Sequence, residues 1–239
     1  MGTPNGTLAR MDAAEIRLLR KRNEARAKLQ ELGWYHSFRF ADGTEFRGIL
    51  ATELLEYRYS KFPLPADLTG ARVLDIGTWD GWFAFEAERR GAKVTAIDAV
   101  EVPNFLKVRD KLGSRIDYRE LDLFDIPRAG LGRFDYVFFL GVLYHVRHPL
   151  MALEIVCAAT QEIAIVESYV TDAESWREHE DAMPTLEFYE TDELGGQLDN
   201  WFGPTVSCVA GMCRAAGFAR VEVLHVENSR AAFACYRHW

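Results

Sequence analysis

Apolar and polar positions follow two periods along this chain. Runs rich in Val, Ile, Leu and Phe at residues 72–76, 93–97, 134–140 and 161–167 read as buried strands, and the more polar run 115–120 as a further strand. Between them, residues 80–90, 102–112 and 148–159 place apolar side chains at helical spacing. Strand and helix taking turns predict a parallel sheet with helices on both faces. The chain then closes differently. A helix over 205–216 precedes two strands, 219–226 and 230–237, which flank Asn228-Ser229 and predict an antiparallel terminal hairpin. The expected fold is α/β, a Rossmann-like doubly wound sheet of about seven strands with an antiparallel last strand.

Two regions fall outside this rhythm. At the front, residues 8–32 carry an apolar stripe through Leu18, Ala25, Leu29 and Leu32, with Gly33 as a stop and a basic face of Arg17, Arg20, Lys21, Arg22, Arg26 and Lys28. That face suits solvent, and it could also touch RNA. Residues 35–40 and 44–49 flank Ala41-Asp42-Gly43 and predict a hairpin, and a helix over 52–62 stops at Pro63-Leu64-Pro65. Residues 1–65 thus form a helix-and-hairpin cap, and 66–239 form the main domain. Residues 168–204 interrupt that domain with an acidic, aromatic insertion. Glu187, Phe188, Tyr189, Glu190, Trp201 and Phe202 are its candidates for contact with a substrate, or else a packed cover.

In an open α/β sheet a ligand sits beyond the carboxyl ends of the strands. The first core strand runs into Asp75, Gly77, Thr78, Trp79, Asp80 and Gly81, and the second ends on Asp98. The turn reads D-x-G-x-x-x-G, where a dinucleotide site requires G-x-G-x-x-G, and its acids oppose a pyrophosphate. A ligand with a cationic amino-acid end and a ribose suits that charge, the diol hydrogen-bonding to Asp98. These residues resemble motif I of class I S-adenosylmethionine-dependent methyltransferases, which implies that Asp75 lies near the methionine moiety. In that family the segment after the third strand carries an acid for the adenine amino group and apolar neighbours for the ring. Asp122 and Leu123 match it, although Asp122 also reads as a solvated loop acid. The loop after the fourth strand, Gly141 to Pro149, faces the methyl group in this fold. It offers Tyr144 and His145 as catalytic candidates, His145 as a general base or as a structural hydrogen-bonding group.

A narrower resemblance rests on Leu68-Thr69-Gly70, Gly141-Val142-Leu143-Tyr144-His145 with His148-Pro149-Leu150, Glu167-Ser168 and Ser229-Arg230-Ala231-Ala232. Together these are similar to the bacterial transferases that complete 5-oxyacetyl uridine at the tRNA wobble position with carboxy-S-adenosylmethionine. The resemblance implies that Tyr144 and Arg230 help hold the extra carboxylate. Where that family has a further basic residue, this chain has Trp34-Tyr35-His36-Ser37, which points to plain S-adenosylmethionine, with the carboxylated form as the alternative.

Composition narrows the partners. The chain of 239 residues carries a formal net charge of −8, which opposes a polyanion and makes nucleic acid the minority partner. Cys157, Cys208, Cys213 and Cys235 show neither a metal nor a disulfide spacing. With no signal-peptide pattern and no apolar run long enough to span a bilayer, they imply a reducing cytoplasm and no membrane. No metal site is expected, since His145 and His148 lack further ligands. The expectation is methyl transfer from S-adenosylmethionine to an O or N atom of a small molecule. Two alternatives stand beside it: carboxymethyl or methyl transfer to a tRNA wobble uridine, and a non-catalytic cofactor-binding regulator or scaffold. Oligomeric state is not legible.

Overall fold

The computed structural model describes residues 33–177 and 183–239. The basic helix expected over 8–32, and Glu178, Glu180 and Asp181 of the insertion, lie outside the described residues. The cap begins with four short strands, β1 (Trp34–His36), β2 (Phe38–Arg39), β3 (Glu45–Phe46) and β4 (Gly48–Leu50), followed by helix α1 (Thr52–Ser60). Strands β2 and β3 form the hairpin expected around Asp42-Gly43, whereas the outer pair, β1 and β4, runs parallel. The outer half is therefore not a continuation of the hairpin. Ser37 breaks the ladder: its Oγ accepts the Gly48 N–H at 2.9 Å and its own N–H donates to the Leu50 carbonyl at 2.9 Å.

The core follows in chain order as β5 (Arg72–Ile76), α2 (Trp82–Arg89), β6 (Lys93–Asp98), α3 (Pro103–Leu112), β7 (Asp117–Glu120), β8 (Phe134–Leu140), α4 (Pro149–Ala159) and β9 (Thr160–Tyr169). The insertion adds a ribbon, β10 (Leu186–Phe188) against β11 (Phe202–Pro204). Helix α5 (Val206–Ala215) and the hairpin β12 (Arg220–Glu227) and β13 (Arg230–Tyr236) complete the chain. The large sheet has seven strands in the order β12-β13-β9-β8-β5-β6-β7, with β13 antiparallel to both neighbours. Local chemistry marks the ends of its elements. Proline opens α3 and α4, Gly113 in a left-handed conformation closes α3, and Asn228 and Ser229, at φ 48° and 59°, make the tight turn.

Alternation along the strands builds two cores. Val137 and Phe139 of β8, Val166 of β9 and Phe233 of β13 face α4 and α5. Phe138 of β8, Ile165 of β9 and Val73 of β5 face α1, α2 and α3. Phe138 and Phe139 are both wholly buried, and truncating either to Ala costs about 3–5 kcal/mol. The second face matters most here, because beyond its apolar core the strand ends carry polar side chains beneath α1 and the cap.

Candidate active site

The carboxyl ends of β5, β6 and β8 open into a cleft of about 910 Å³. On its donor side the β5 turn is held by short-range bonds. Gly77 and Thr78 donate their N–H groups to the Ile97 carbonyl at 2.8 and 3.1 Å, and the Thr78 hydroxyl donates to Asp75 Oδ2 at 2.7 Å. Burial pushes the Asp75 carboxyl up to about 7, against the pull of Thr78 and His36. Gly77 has φ 71°, and a Cβ there would lie 2.4 Å from a Val142 methyl, so the backbone approaches the β8 loop as only glycine allows. Trp79, also left-handed at φ 51°, donates its N–H to Asp98 Oδ2 at 3.2 Å. Asp98 is buried at the end of β6 and lines the cleft. Asp122 caps a 3₁₀ turn, Leu123–Arg128, by accepting the Phe124 N–H at 2.8 Å, and both Asp122 and Leu123 border the cleft.

Gly81 stands apart from the cleft wall. A Cβ on it would lie 2.5 Å from the Phe105 ring and 2.8 Å from that of Phe85, so its place is tight packing of α2 against α3. Asp80 also faces away from any ligand. It is fully buried and accepts the Tyr35 and His36 N–H groups, each at 2.9 Å, and the His36 ring Nδ1. The acid that the sequence grouped with the ligand-facing turn instead ties β1 of the cap to the β5 turn.

The other side of the cleft is built on β8, β9 and β13. Arg230 donates to both oxygens of Glu167, from Nε at 2.5 Å and Nη2 at 2.7 Å, and from Nη1 to the Tyr144 hydroxyl at 2.8 Å. Burial opposes ionisation of Glu167, yet Arg230 holds its carboxyl below the usual carboxylate range. Burial likewise opposes the charge on Arg230, and Glu167 more than offsets it, raising the guanidinium well above its usual value. Burial pushes the Tyr144 phenol up to about 12, so it serves as a hydrogen-bonding hydroxyl and not as a base. Gly141, at φ 73°, makes room for this group, with the Arg230 guanidinium 3.1 Å from where its Cβ would be.

His145 lies one residue on, in the 3₁₀ turn Leu143–His145. Its Nδ1 donates to the Asp199 carbonyl at 3.2 Å and sits 3.4 Å from the Asp199 carboxylate. The insertion is anchored here too, Trp201 donating its N–H to the Tyr144 carbonyl at 2.8 Å. Of the aromatic and acidic candidates in that segment, Trp201 borders the cleft, and Leu194, Gln197, Asp199 and Asn200 join it. Glu187 and Phe188 sit in the exposed ribbon, Phe188 packing its ring near Trp201. Sequence reasoning missed Asp199, Arg58 and His225, since no local motif marks them.

Comparison with known proteins decides the family. A methyltransferase domain family matches residues 45–223. The chain belongs to that family. As a class I S-adenosylmethionine-dependent methyltransferase it has relatives in the tRNA U34 carboxymethyltransferases. That of Pseudomonas paraeruginosa is 29% identical over 74% of this chain and 55% of its own length, and that of Campylobacter jejuni 28% identical over 78% and 60%. The methyltransferase chain thus spans little more than half the length of the curated relatives it matches. Among solved structures, the N-terminal domain of EvdMO1 with SAH bound has a TM-score of 0.63 at 21% identity, covering 91% of this chain and 96% of that one. The Burkholderia thailandensis 1,6-didemethyltoxoflavin-N1-methyltransferase has a TM-score of 0.55 at 19% identity, covering 72% of each. Both share the fold.

S-adenosylmethionine is the methyl donor of the class, and the donor side of the cleft fits it. Asp98, buried and facing the cleft, suits the ribose diol, and Gly77 borders the cleft where its backbone meets Val142 of the β8 loop. The acidic turn has no phosphate-binding chemistry.

Proposed function

We propose that this methyltransferase transfers a methyl group to an O or N atom of a small molecule held between the cap and the insertion. The observation that carries this reading is the closure of the cleft from both sides. Tyr35 and His36 of β1, tied down by Asp80, border one side, and Asp199, Asn200 and Trp201, anchored at Tyr144, border the other. Such a site suits a compact acceptor.

Bound S-adenosylmethionine supplies a sulfonium-activated methyl group. The protein's part is to orient and to exclude water. Asp75, Gly77, Thr78, Trp79 and Asp98 hold the donor, with Asp122 and Leu123 at its adenine end. Gly141 gives the reacting groups room, and Tyr144, kept protonated and fixed by Arg230, directs a hydroxyl toward the acceptor. His145, oriented by Asp199, takes the proton that an acceptor hydroxyl gives up. Plain S-adenosylmethionine is favoured over the carboxylated form because Arg230 is already matched by Glu167 on two of its donors and by Tyr144 on a third. An added carboxylate would meet Glu167 as well. A cytoplasmic setting accords with four unpaired, buried cysteines, and no helix among the described residues is long and apolar enough to cross a membrane.

The test joins calorimetry to a methyl-transfer screen with small hydroxyl and amine acceptors. S-adenosylhomocysteine should bind, and Asp98→Ala should weaken it by roughly 1.5–3 kcal/mol, the scale of hydrogen bonds to a charged group. His145→Gln should leave that affinity alone and lower turnover by about a hundredfold, the lower end of general-base contributions. Binding without turnover on any acceptor would favour the non-catalytic alternative. Product formed only on tRNA would favour the wobble-uridine alternative.

A further inference from the structure

The cleft extends past the reaction centre onto the last hairpin, where the sheet presents a row of polar groups. Glu167 of β9 pairs across the ladder with Ala232 of β13, and Ala232 pairs with His225 of β12. Arg230 pairs with both Tyr169 of β9 and Glu227 of β12. Paired residues point to one face, so His225, Glu227, Arg230, Glu167 and Tyr169 all project on the side of α1 and the cap. A β-bulge between Val223 and His225 puts His225 there. Before the bulge Val223 pairs with Phe233 and packs in the core beneath α4 and α5. Without the extra residue, His225 would follow Val223 into that core; with it, His225 turns to the cleft.

The chemistry of this row is specific. Arg58 of α1 donates to Glu227 at 3.2 Å, and Arg230 is paired with Glu167, so two cations are matched by two carboxylates. His225 borders the cleft, and neither of its ring nitrogens has a partner among the described residues. Burial, together with the cations Arg58 and Lys61, holds its imidazole below the usual range against the opposing pull of Glu227 and Glu167. The ring is therefore neutral, with one nitrogen that donates and one that accepts. Shielded ring nitrogens with neither bond made carry an uncompensated desolvation cost, which a hydrogen-bonding ligand removes.

We propose that this compartment, centred on His225 and walled by Arg58, Arg230, Glu167 and Tyr35, is the acceptor's binding subsite and takes a neutral, polyhydroxylated ring of the sugar type. The inference rests on the small-molecule reading above and names its substrate class. Balanced charge gives an acidic or basic acceptor no advantage. The alternation of donors and acceptors is what vicinal hydroxyls require, since each hydroxyl both donates and accepts. Phenol rings and the apolar Leu50 and Phe62 supply faces for the ring's C–H surface. Arg230 of this row donates to the Tyr144 hydroxyl at 2.8 Å, which joins the compartment to the reaction end of the cleft.

Saturation-transfer NMR tests this on the full chain with S-adenosylhomocysteine present. The probes are methyl glycosides of neutral hexoses and 6-deoxyhexoses, set against glucuronate, hexose phosphates and hexosamines. The neutral glycosides should give the strongest transfer. His225→Phe should weaken their binding by about tenfold or more, the scale of hydrogen bonds lost at a buried group. His225→Asn, which keeps a donor and an acceptor, should retain part of it, and calorimetry should find the affinity for S-adenosylhomocysteine within about twofold of wild type in both. Stronger binding of the charged analogues, no transfer from neutral glycosides, or no loss in His225→Phe overturns the proposal while the donor site stands. Failure of the wild-type protein to bind S-adenosylhomocysteine overturns the donor reading and this proposal with it.

Discussion

The two sides of the cleft are built in opposite ways. On the donor side the partners are near neighbours in sequence: Thr78 bonds to Asp75 across 3 residues, and Trp79 to Asp98 across 19. On the acceptor side Arg230 reaches Glu167 across 63 residues and Tyr144 across 86, and Arg58 reaches Glu227 across 169. A single strand-turn-helix-strand unit specifies the first, so it can be carried intact into any protein of the fold. The second exists only once the cap, the insertion and the last hairpin have docked, which lets the acceptor site diverge while the donor site stays recognisable.

That contrast predicts where substitution hurts most. Arg230→Met would leave Glu167 buried without its partner, and a broken buried pair costs about 3–5 kcal/mol. Denaturant unfolding should show a loss of that size. The double variant Arg230→Met/Glu167→Leu removes both charges and should recover most of it. If the single and double variants lose equal stability, the pair is not what ties β9 to β13, and the acceptor side owes its form to packing alone.

The same division explains what could be read in advance. All seven strands of the main sheet were legible, the central ones because burial on both faces leaves Val, Ile and Phe runs such as 134–140, and the edge strands β7 and β12 from their place in the alternation with helices and turns. The Asp75 to Asp98 spacing was legible since one βαβ unit holds both ends. The parallel pairing of β1 with β4 was not, because it depends on one serine side chain, Ser37, replacing a ladder bond. Asp80 was misjudged for a related reason: its partners are backbone N–H groups of Tyr35 and His36, more than 40 residues away, and a backbone donor leaves no mark on composition. His225 reaches the cleft through a one-residue bulge, which alternation alone assigns to the wrong face.

Asp75 gives a smaller effect with opposite signs for folding and binding. Its carboxyl rises from 3.8 in the unfolded chain to about 7 when buried. The folded state therefore holds the proton more tightly, and this group's contribution to stability is fully present below the unfolded value and is lost as pH rises through about 7. A cationic amino group of the donor favours the ionised form, so affinity should move the other way. Calorimetry from neutral to acid pH should show S-adenosylhomocysteine binding weaken by up to about tenfold per pH unit below 7, the limit for one linked proton. Asp75→Asn should flatten the profile. A flat profile in the wild-type protein would detach Asp75 from the ammonium group and leave it a purely structural acid.

The last prediction is of almost no effect, and it bears on the acceptor side as a whole. A tRNA arm is held through phosphates, and each contact from Lys or Arg releases counterions, so affinity falls steeply as salt rises. The described part of the insertion offers the reverse field: Asp172, Glu174, Glu187, Glu190, Asp192, Glu193 and Asp199 against Arg177. Of the arginines that border the cleft, Arg58 and Arg230 are matched by Glu227 and Glu167, and Arg147 lies over the Trp201 ring. Gel-shift titrations with bulk tRNA at low ionic strength should therefore give no complex tighter than the ordinary non-specific range of roughly 10⁻⁴–10⁻⁶ M, and no methylated base. The basic face expected over 8–32 is the natural place for this to fail. Submicromolar binding that collapses with added salt, together with modification of a base, would move the acceptor from a hydroxylated small molecule to RNA and make the acidic insertion a flank of the site.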